Sequence, residues 1–308
     1  MPTAPVAPAA AAAKAAAPAN PKALPPALEK ALSRVTEISS LPEITTRIVQ
    51  VVEDPRATAH DMHELVKSDP ALATKILKVV NSAFYGLPSQ ISSLDRAIVM
   101  LGLSAVKNIA LAASLTRLFK SDTISAQFEA KDLWKHSIAV GVGAKTIADK
   151  VRFAQEEAFV GGLVADVGLL AMQQIFPEKM AEVADTCSAN PQDYRALETK
   201  IIGADHEQFG DALANRWKFP PMLRQCIAYH HDPQALKPEF KRLVSILYIA
   251  DTICSQNQIG YWLPGGVQEL TQDLLDCVGL SAEGLQQVAD VLPERISEAE
   301  GIFGEAQT

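Results

Sequence analysis

Five ionisable side chains interrupt the apolar faces of predicted helices in the second half of the sequence. Burying an ionised carboxylate costs several kcal/mol unless the group is paired or coordinates a metal. Imidazoles and carboxylates that converge in a helical core are the ligands that a two-metal hydrolase needs, with oxygen for Mg or Mn and nitrogen for Fe, Mn or Zn. In chain order these residues are His136, Asp166, His206, His230 and Asp251.

Each of these residues also has a purely structural interpretation. A single histidine on an apolar face is more often a core residue bonded to a backbone carbonyl than a ligand. Asp166 could cap the helix that follows it, VGLLAMQQIF, and Asp251 could pair with a histidine. His231 lies at a predicted helix end, where the helix dipole favours a cation. The joint pattern favours a shared centre, either a metal site or a metal-free buried polar network.

Helical periodicity positions these residues. In DLWKHSIAVGVGAKTIADKV, His136 shares a face with Leu133 and Val140. In EFKRLVSILYIADTICSQ, Asp251 continues the apolar stripe that contains Val244. The same spacing runs through most of the chain, whereas sustained two-residue alternation and hairpin turns are nearly absent. The sequence therefore predicts an all-α fold with two successive blocks of helices.

Composition limits the functional classes. The 308 residues are 48% hydrophobic and carry a formal net charge of -8, which predicts a sizeable core and is a poor footprint for nucleic-acid binding. The four cysteines form no C-x-x-C pair, so we expect no disulfide framework, and a reducing cytoplasm fits best. We expect no apolar run of the roughly 18 residues that a bilayer span needs. The Ala/Pro-rich residues 1–26 predict a disordered tail.

Several segments resemble the landmarks of a known superfamily. LWKHS, AFVGGLVADVGLLAM, GADHEQFGDALANRW, IAYHHDP and LYIADTIC are similar, in this order, to segments of the HD superfamily of metal-dependent phosphohydrolases. The upstream segment SDPALATKILKVVNSAFYG resembles the HDOD domain, the HD-related output domain of bacterial signalling proteins. The resemblance covers roughly residues 38–251. It implies an N-terminal helical lobe (27–125) that packs on a degenerate HD-like helical lobe (126–260), with the Ala/Pro-rich tail (1–26) before them and a C-terminal helical extension (261–308) after them.

The resemblance implies a metal site that has lost a ligand. HD hydrolases carry a His-Asp pair of metal ligands where this chain has Ala165 and Asp166, and alanine cannot bind a metal. The segment HHDPQALKPEF also lacks the Gly-Tyr-Pro of the related HD-GYP phosphodiesterases. HDOD domains as a group are thought to have lost hydrolase chemistry, so we assign no catalytic residue. The positions that still match ligands of these families are vestigial metal candidates, namely His136, Asp166, His206, His230 and Asp251.

Three functions follow from these observations. The resemblance implies a cytoplasmic, non-catalytic regulatory module that acts through a signalling protein partner, with no cofactor expected and no membrane. A ligand such as a nucleotide is expected in the cleft between the lobes, bordered by His136, Asp166 and His230. The alternative is a metal-dependent phosphohydrolase with an altered site and residual Mn, Fe or Mg. The third is a DNA-binding regulator, since HDMHELVKSDPALATKILKVVNSAFYG scans as a helix-turn-helix, although its second helix carries only two lysines.

Overall fold

The computed structural model describes residues 22–35, 41–82, 85–115, 119 and 129–303. Every regular element in these ranges is helical, and none of their residues forms a strand, so the all-α prediction is confirmed. The predicted tail lies outside the described residues except for residues 22–26. In that last part, Leu24 is buried and the Lys22 Nζ lies 2.6 Å from the Glu207 Oε2.

The N-terminal region contains helices whose ends follow local capping signals. The Asp69 side chain accepts a hydrogen bond from the Leu72 N–H, and Pro70 is the first helical residue after this cap. The last helix of this region packs against three of the others and is buried along most of its length. The helices are α1 (Pro26–Arg34), α2 (Glu43–Glu53), α3 (Ala59–Lys67), α4 (Pro70–Val80), α5 (Leu94–Leu101) and α6 (Leu103–Leu115).

The second lobe is built around one long helix. Its elements are α7 (Ala130–Val151), α8 (Gln155–Val164), α9 (Val167–Ile175), α10 (Pro177–Ala189), α11 (Tyr194–Ile201), α12 (His206–Arg216), α13 (Pro221–Tyr229) and α14 (Pro238–Gln256). Helix α7 packs against α8 and α14. A Cβ atom on Gly162 of α8 would lie 2.6 Å from the Gly141 Cα of α7. These two helices therefore touch backbone to backbone, which holds the surrounding helix ends close together.

The C-terminal helices belong to the same core. They are α15 (Gln272–Val278) and α16 (Ala282–Phe303). Helix α16 packs on α7, where the Trp134 Nε1 donates to the Phe303 carbonyl at 3.4 Å. The Phe303 ring also lies 5.6 Å from the Phe159 ring. The predicted extension is therefore packed against the lobe that carries the five candidate residues.

The expectation that the chain has no apolar run long enough to span a bilayer is wrong for one stretch of the second lobe. Residues Gln155–Ile175 are long and apolar enough to cross a membrane by composition. In the fold this stretch is two helices, α8 and α9, that are separated by a turn at Ala165 and Asp166. The apolar window is 89% buried, as is typical of core helices. It lies inside the protein.

Tyr85 connects the N-terminal region to the second lobe. Its hydroxyl donates a 2.7 Å hydrogen bond to the Glu156 Oε2 at the start of α8. The Lys145 Nζ lies 2.7 Å from the Glu156 Oε1 and 5.0 Å from the centre of the Tyr85 ring. The three side chains therefore form a polar contact between the lobes.

We expect Tyr85→Phe to lower the free energy of unfolding by about 1.5 kcal/mol, because the substitution removes a hydrogen bond to a charged acceptor and keeps the ring. Urea unfolding followed by circular dichroism measures this change. Tyr248→Phe is the matched control, since its hydroxyl bonds an exposed carbonyl, that of Glu269, and we expect a loss of about 0.5 kcal/mol or less. Equal midpoints for the two variants would contradict a stabilising role for the contact.

Candidate functional site

The structure brings the five predicted residues into one buried cluster in the second lobe. Asp166 lies in the turn between α8 and α9, His206 is the first residue of α12, and His230 follows the last residue of α13. His136 and Asp251 come from α7 and α14. None of the five residues is more than 3% exposed. Helix ends and helix faces from across the lobe thus meet in its buried interior.

His136 and Asp251 form an ion pair. The His136 Nε2 lies 2.9 Å from the Asp251 Oδ1, and its Nδ1 lies 2.8 Å from the Ile259 carbonyl oxygen. Both partners accept hydrogen bonds, so both ring nitrogens donate and the imidazole is charged. Burial opposes this charge, but the hydrogen bond and charge of Asp251 raise the pKa of His136. The ion pair confirms the predicted pairing of Asp251 with a histidine. Because a doubly protonated imidazole has no free lone pair, His136 cannot bind a metal in this state.

Both carboxylate oxygens of Asp251 have further hydrogen-bond partners. The Ser255 Oγ donates to the Asp251 Oδ1 at 3.1 Å, and the Gln268 side-chain amide donates to the Asp251 Oδ2. Burial favours the neutral carboxyl, but the bond with His136 and the charges of the histidines around it lower the pKa of Asp251. The carboxylate is therefore satisfied within the protein.

A second group of four residues lies beside this pair. Each offers one ligand atom, and these atoms all lie within 4.8 Å of one another. The His206 Nε2 lies 3.0 Å from the His231 Nε2 and 3.4 Å from the His230 Nε2. The Asp166 Oδ1 lies 3.4 Å from the His230 Nε2. We call Asp166, His206, His230 and His231 the four-residue cluster.

The interpretation of His231 as a cation at a helix end is wrong. The chain turns after α13, and the His231 ring is buried against the His206 ring with 5.0 Å between their centres. Burial and the charge of neighbouring His230 hold the pKa of His231 well below its usual value. The ring is therefore neutral, and its lone pair is available to a ligand.

Hydrogen bonds orient the other two imidazoles. The His206 Nδ1 lies 2.7 Å from the Glu198 Oε2, and the His230 Nδ1 lies 3.0 Å from the Ile227 carbonyl oxygen. Carboxylate and carbonyl oxygens only accept, so each Nδ1 carries the proton. In the neutral rings both Nε2 lone pairs then point at the same volume. Such lone pairs repel unless a cation, either a proton or a metal ion, lies between them.

Electrostatics favours a positive charge at this point. Burial disfavours a charged imidazole, but Glu198, with Asp166 and Glu207, raises the pKa of His206 to about 9. Burial also disfavours the Asp166 carboxylate, but the nearby imidazole of His230, whose Nε2 lies 3.4 Å from the Asp166 Oδ1, lowers its pKa to about 2. The Asp166 Oδ1 has no hydrogen-bond partner in the described part of the chain. The side chain does not cap α9 either, which corrects the capping alternative.

The four-residue cluster fits one metal ion. Three imidazole nitrogens and one carboxylate oxygen suit Zn, Mn or Fe, and each orienting acceptor is the outer partner that metal-bound histidines usually have. Ligands about 2.0–2.1 Å from a tetrahedral Zn²⁺ are roughly 3.3 Å apart, close to the 3.4 Å between the His206 and His230 nitrogens. A second ion does not fit, because His136 and Asp251 bond each other and Ala165 offers no donor.

Two buried glutamates support the four-residue cluster and were not predicted. Glu198 bonds both the ring and the backbone N–H of His206. The Glu207 Oε1 accepts from the His231 backbone N–H at 3.0 Å, while its Oε2 lies 2.6 Å from the Lys22 Nζ and 3.1 Å from the Arg195 Nη1. Burial would raise the pKa of Glu207, but His230, Lys22 and Arg195 lower it to about 2.

Residues 259–268 close the site from outside. Gly260 has a φ of +62°, and a Cβ atom there would lie 2.4 Å from the Asp132 carbonyl oxygen of α7. A Cβ atom on Gly265 would lie 2.7 Å from the Asp251 Oδ2. The backbone therefore lies directly on the His136–Asp251 pair.

The predicted position of the cleft between the lobes needs a correction. A cavity of about 440 Å³ lies between them, lined by residues of α2, α6, α8 and α13 and of the loop after α2. His136, Asp166 and His230 are not among its lining residues. They are buried inside the second lobe because α8, α9 and α14 surround them.

The helical fold and its buried His–Asp cluster define a protein of the HD-superfamily class. The sequence profile of the HDOD domain matches residues 38–233. The chain belongs to the HDOD family.

Other proteins agree with this assignment. An uncharacterised protein from Treponema pallidum is 26% identical over 222 residues, which span 71% of this chain and 42% of that relative. The chain therefore covers less than half of the length of that protein. An HDOD domain protein of unknown function from Geobacter sulfurreducens has a similar structure, with a TM-score of 0.73, 22% identity and coverage of 89% of this chain and 99% of that one.

A further solved structure is a Shewanella amazonensis protein described provisionally as a phosphohydrolase. It superposes with a TM-score of 0.69 at 22% identity and covers 90% of this chain and 98% of its own. A Marinobacter aquaeolei protein described provisionally as a signal transduction protein has a TM-score of 0.70 at 24% identity, over 90% of this chain and 64% of its own. At these identities the likeness establishes the fold alone.

Proposed function

We propose that the protein is a non-catalytic HDOD regulatory module that acts in the cytoplasm through a protein partner. The observation that carries the proposal is the burial of the whole site, which consists of the four-residue cluster and the His136–Asp251 pair. A phosphohydrolase needs metal ions with positions open to substrate and water. Here every ligand-type side chain of the cluster is at most 6% exposed, and residues 259–268 cover His136 and Asp251.

The chemistry of the His136–Asp251 pair supports the same proposal. Two-metal hydrolysis uses paired ions to hold the attacking and the leaving oxygen. His136 and Asp251, which would serve the second ion, bond each other, and they also bond Ile259 and Gln268 respectively. Ala165 adds no ligand. The four-residue cluster then serves as a buried structural centre that holds one cation and sets the packing of α9, α12 and α13.

The names of the Shewanella and Marinobacter proteins point to the two competing functions, phosphohydrolase and signal transduction. A hydrolysis assay separates them. We expect protein loaded with Mn²⁺, Fe²⁺ or Zn²⁺ to show no more turnover of bis(p-nitrophenyl) phosphate or of cyclic dinucleotides than its Asp166→Ala variant. Turnover that Asp166→Ala and Asp251→Ala both abolish would establish the hydrolase instead.

A further inference from the structure

The N-terminal segment of residues 22–24 places an ammonium group beside the four-residue cluster. The Lys22 Nζ lies 2.6 Å from the Glu207 Oε2, and the Lys22 side chain is 12% exposed. The same Nζ lies 5.3 Å from the centre of the Tyr229 ring. The segment therefore brings a positive charge to a buried carboxylate that is 185 positions away in the sequence.

Two further contacts fix this segment on the second lobe. The Ala23 carbonyl oxygen accepts a hydrogen bond from the Gln208 Nε2 at 3.3 Å, and the Leu24 side chain is buried. Residues 22–24 belong to no helix, and α1 begins two residues later. The segment can therefore leave the lobe without the loss of a helical hydrogen bond.

Glu207 connects Lys22 to the cluster. Its other oxygen, Oε1, accepts from the His231 backbone N–H at 3.0 Å and lies 3.8 Å from the His230 Nδ1. Because the Glu207 side chain is fully buried, solvent and salt screen its charge less than they screen a surface charge. A cation in the cluster and the Lys22 ammonium group therefore interact with the same carboxylate and repel each other.

The charges around the cluster match a divalent cation only when Lys22 is absent. Three buried carboxylates belong to the cluster or contact it, and two cations contact one of these carboxylates. The carboxylates are Asp166, Glu198 and Glu207, and the cations are Lys22 and Arg195. One negative charge remains while Lys22 is docked, and two remain without it. A divalent ion leaves an excess positive charge in the first state and none in the second.

We propose that Lys22 controls the cation affinity of the four-residue cluster, so that docking of residues 22–24 and binding of a divalent ion oppose each other. Coupling between two binding equilibria is reciprocal, so the ion in turn favours release of the segment. The inference rests on the single-cation centre of the proposed function. It supplies that regulatory function with an input, namely whatever holds or withdraws the N-terminal segment.

Competition between the full chain and a fluorescent chelator for Zn²⁺ tests the control by Lys22. We expect Lys22→Met to lower the Kd about tenfold, because it removes a like charge from Glu207 while Arg195 still holds that carboxylate. Lys22→Arg keeps the charge and should keep the Kd within about twofold of wild type. The matched control is Lys30→Met, at an exposed position of α1, which should leave the Kd unchanged.

The outcomes separate the control from the centre. If wild type takes up no ion, the single-cation centre is absent and the inference fails with it. Uptake by wild type with an equal or higher Kd in Lys22→Met overturns the control by Lys22 and leaves the centre intact. A Kd that falls equally in Lys22→Arg would show that charge is not the cause.

Trypsin cleavage after Lys22 measures the reciprocal effect. Proteolysis of a segment that opens and closes rapidly follows the population of the open form. We expect Zn²⁺ to raise the rate of this cleavage about threefold or more in wild type, as followed by mass spectrometry. His231→Ala is the control, since it lacks a ligand of the ion and should be cleaved at the same rate with and without Zn²⁺. Slower or unchanged cleavage of zinc-loaded wild type would overturn the proposed opposition.

Discussion

Protein that has been stripped with a chelator and dialysed against Zn²⁺ is expected to take up one ion per chain. The physical reason is that the Nε2 lone pairs of His206 and His230 face each other across 3.4 Å, next to an unbonded oxygen of Asp166. A metal replaces the proton that otherwise lies between the rings. Elemental analysis after gel filtration gives the stoichiometry, and titration with a competing chelator gives the affinity.

Two histidine variants test which part of the cluster binds the ion. His231→Ala removes a ligand, and we expect the affinity to fall by more than the roughly 10–100-fold typical of losing an outer partner. His136→Gln is the matched control, since His136 is bonded to Asp251 and Ile259 and should leave the affinity within about threefold of wild type. Two ions per chain, or an ion lost from His136→Gln and kept by His231→Ala, would contradict the assignment.

Removal of the metal should also destabilise the fold. An ion that binds only the native chain adds about 2.7 kcal/mol of stability when its free concentration is 100 times Kd. We therefore expect a chelator to lower the Tm of wild type but not that of His231→Ala. An equal shift for both proteins would show that the chelator acts elsewhere.

The sequence predicted the helical class and the convergence of five polar residues, because helical periodicity assigns each side chain to a face. Asp251 and His136 share faces with core leucines and valines, so both had to point inward. Periodicity ends where a helix ends, however. His231 lies beyond α13, and only the tertiary turn at that point directs its ring into the core.

The supporting carboxylates were missed for a different reason. Glutamates on helices are mostly solvated, so Glu198 and Glu207 carried no obvious signal. A weak one existed, since Glu198 lies four residues after Tyr194 and three before Ile201, on one helix face. The covering by residues 259–268 has no periodic signature, because it depends on close backbone approach at Gly260 and Gly265. Such contacts are set by tertiary packing.

Gly168→Ala is expected to lower the free energy of unfolding by about 4 kcal/mol, which is more than the roughly 1–3 kcal/mol that overpacking usually costs, because the added atom meets rigid backbone. A Cβ atom on Gly168 would lie 1.9 Å from the His206 carbonyl oxygen and 2.8 Å from the Gly210 N. Both neighbours are backbone atoms of α12, so no side-chain rotation relieves the clash. Helices α9 and α12 must separate, and Asp166 and His206 must move apart with them.

The surface position Gly301→Ala is the matched control. It lies in α16 with no heavy atom within 4 Å of the added Cβ, so alanine should stabilise the chain by about 0.5 kcal/mol through its higher helix propensity. Thermal and urea unfolding of the two variants measure the contrast, and Gly168→Ala should also bind Zn²⁺ more weakly than wild type. If Gly168→Ala unfolds at the wild-type midpoint and keeps its ion, α9 and α12 cannot be in backbone contact, and the four-residue cluster does not depend on that crossing.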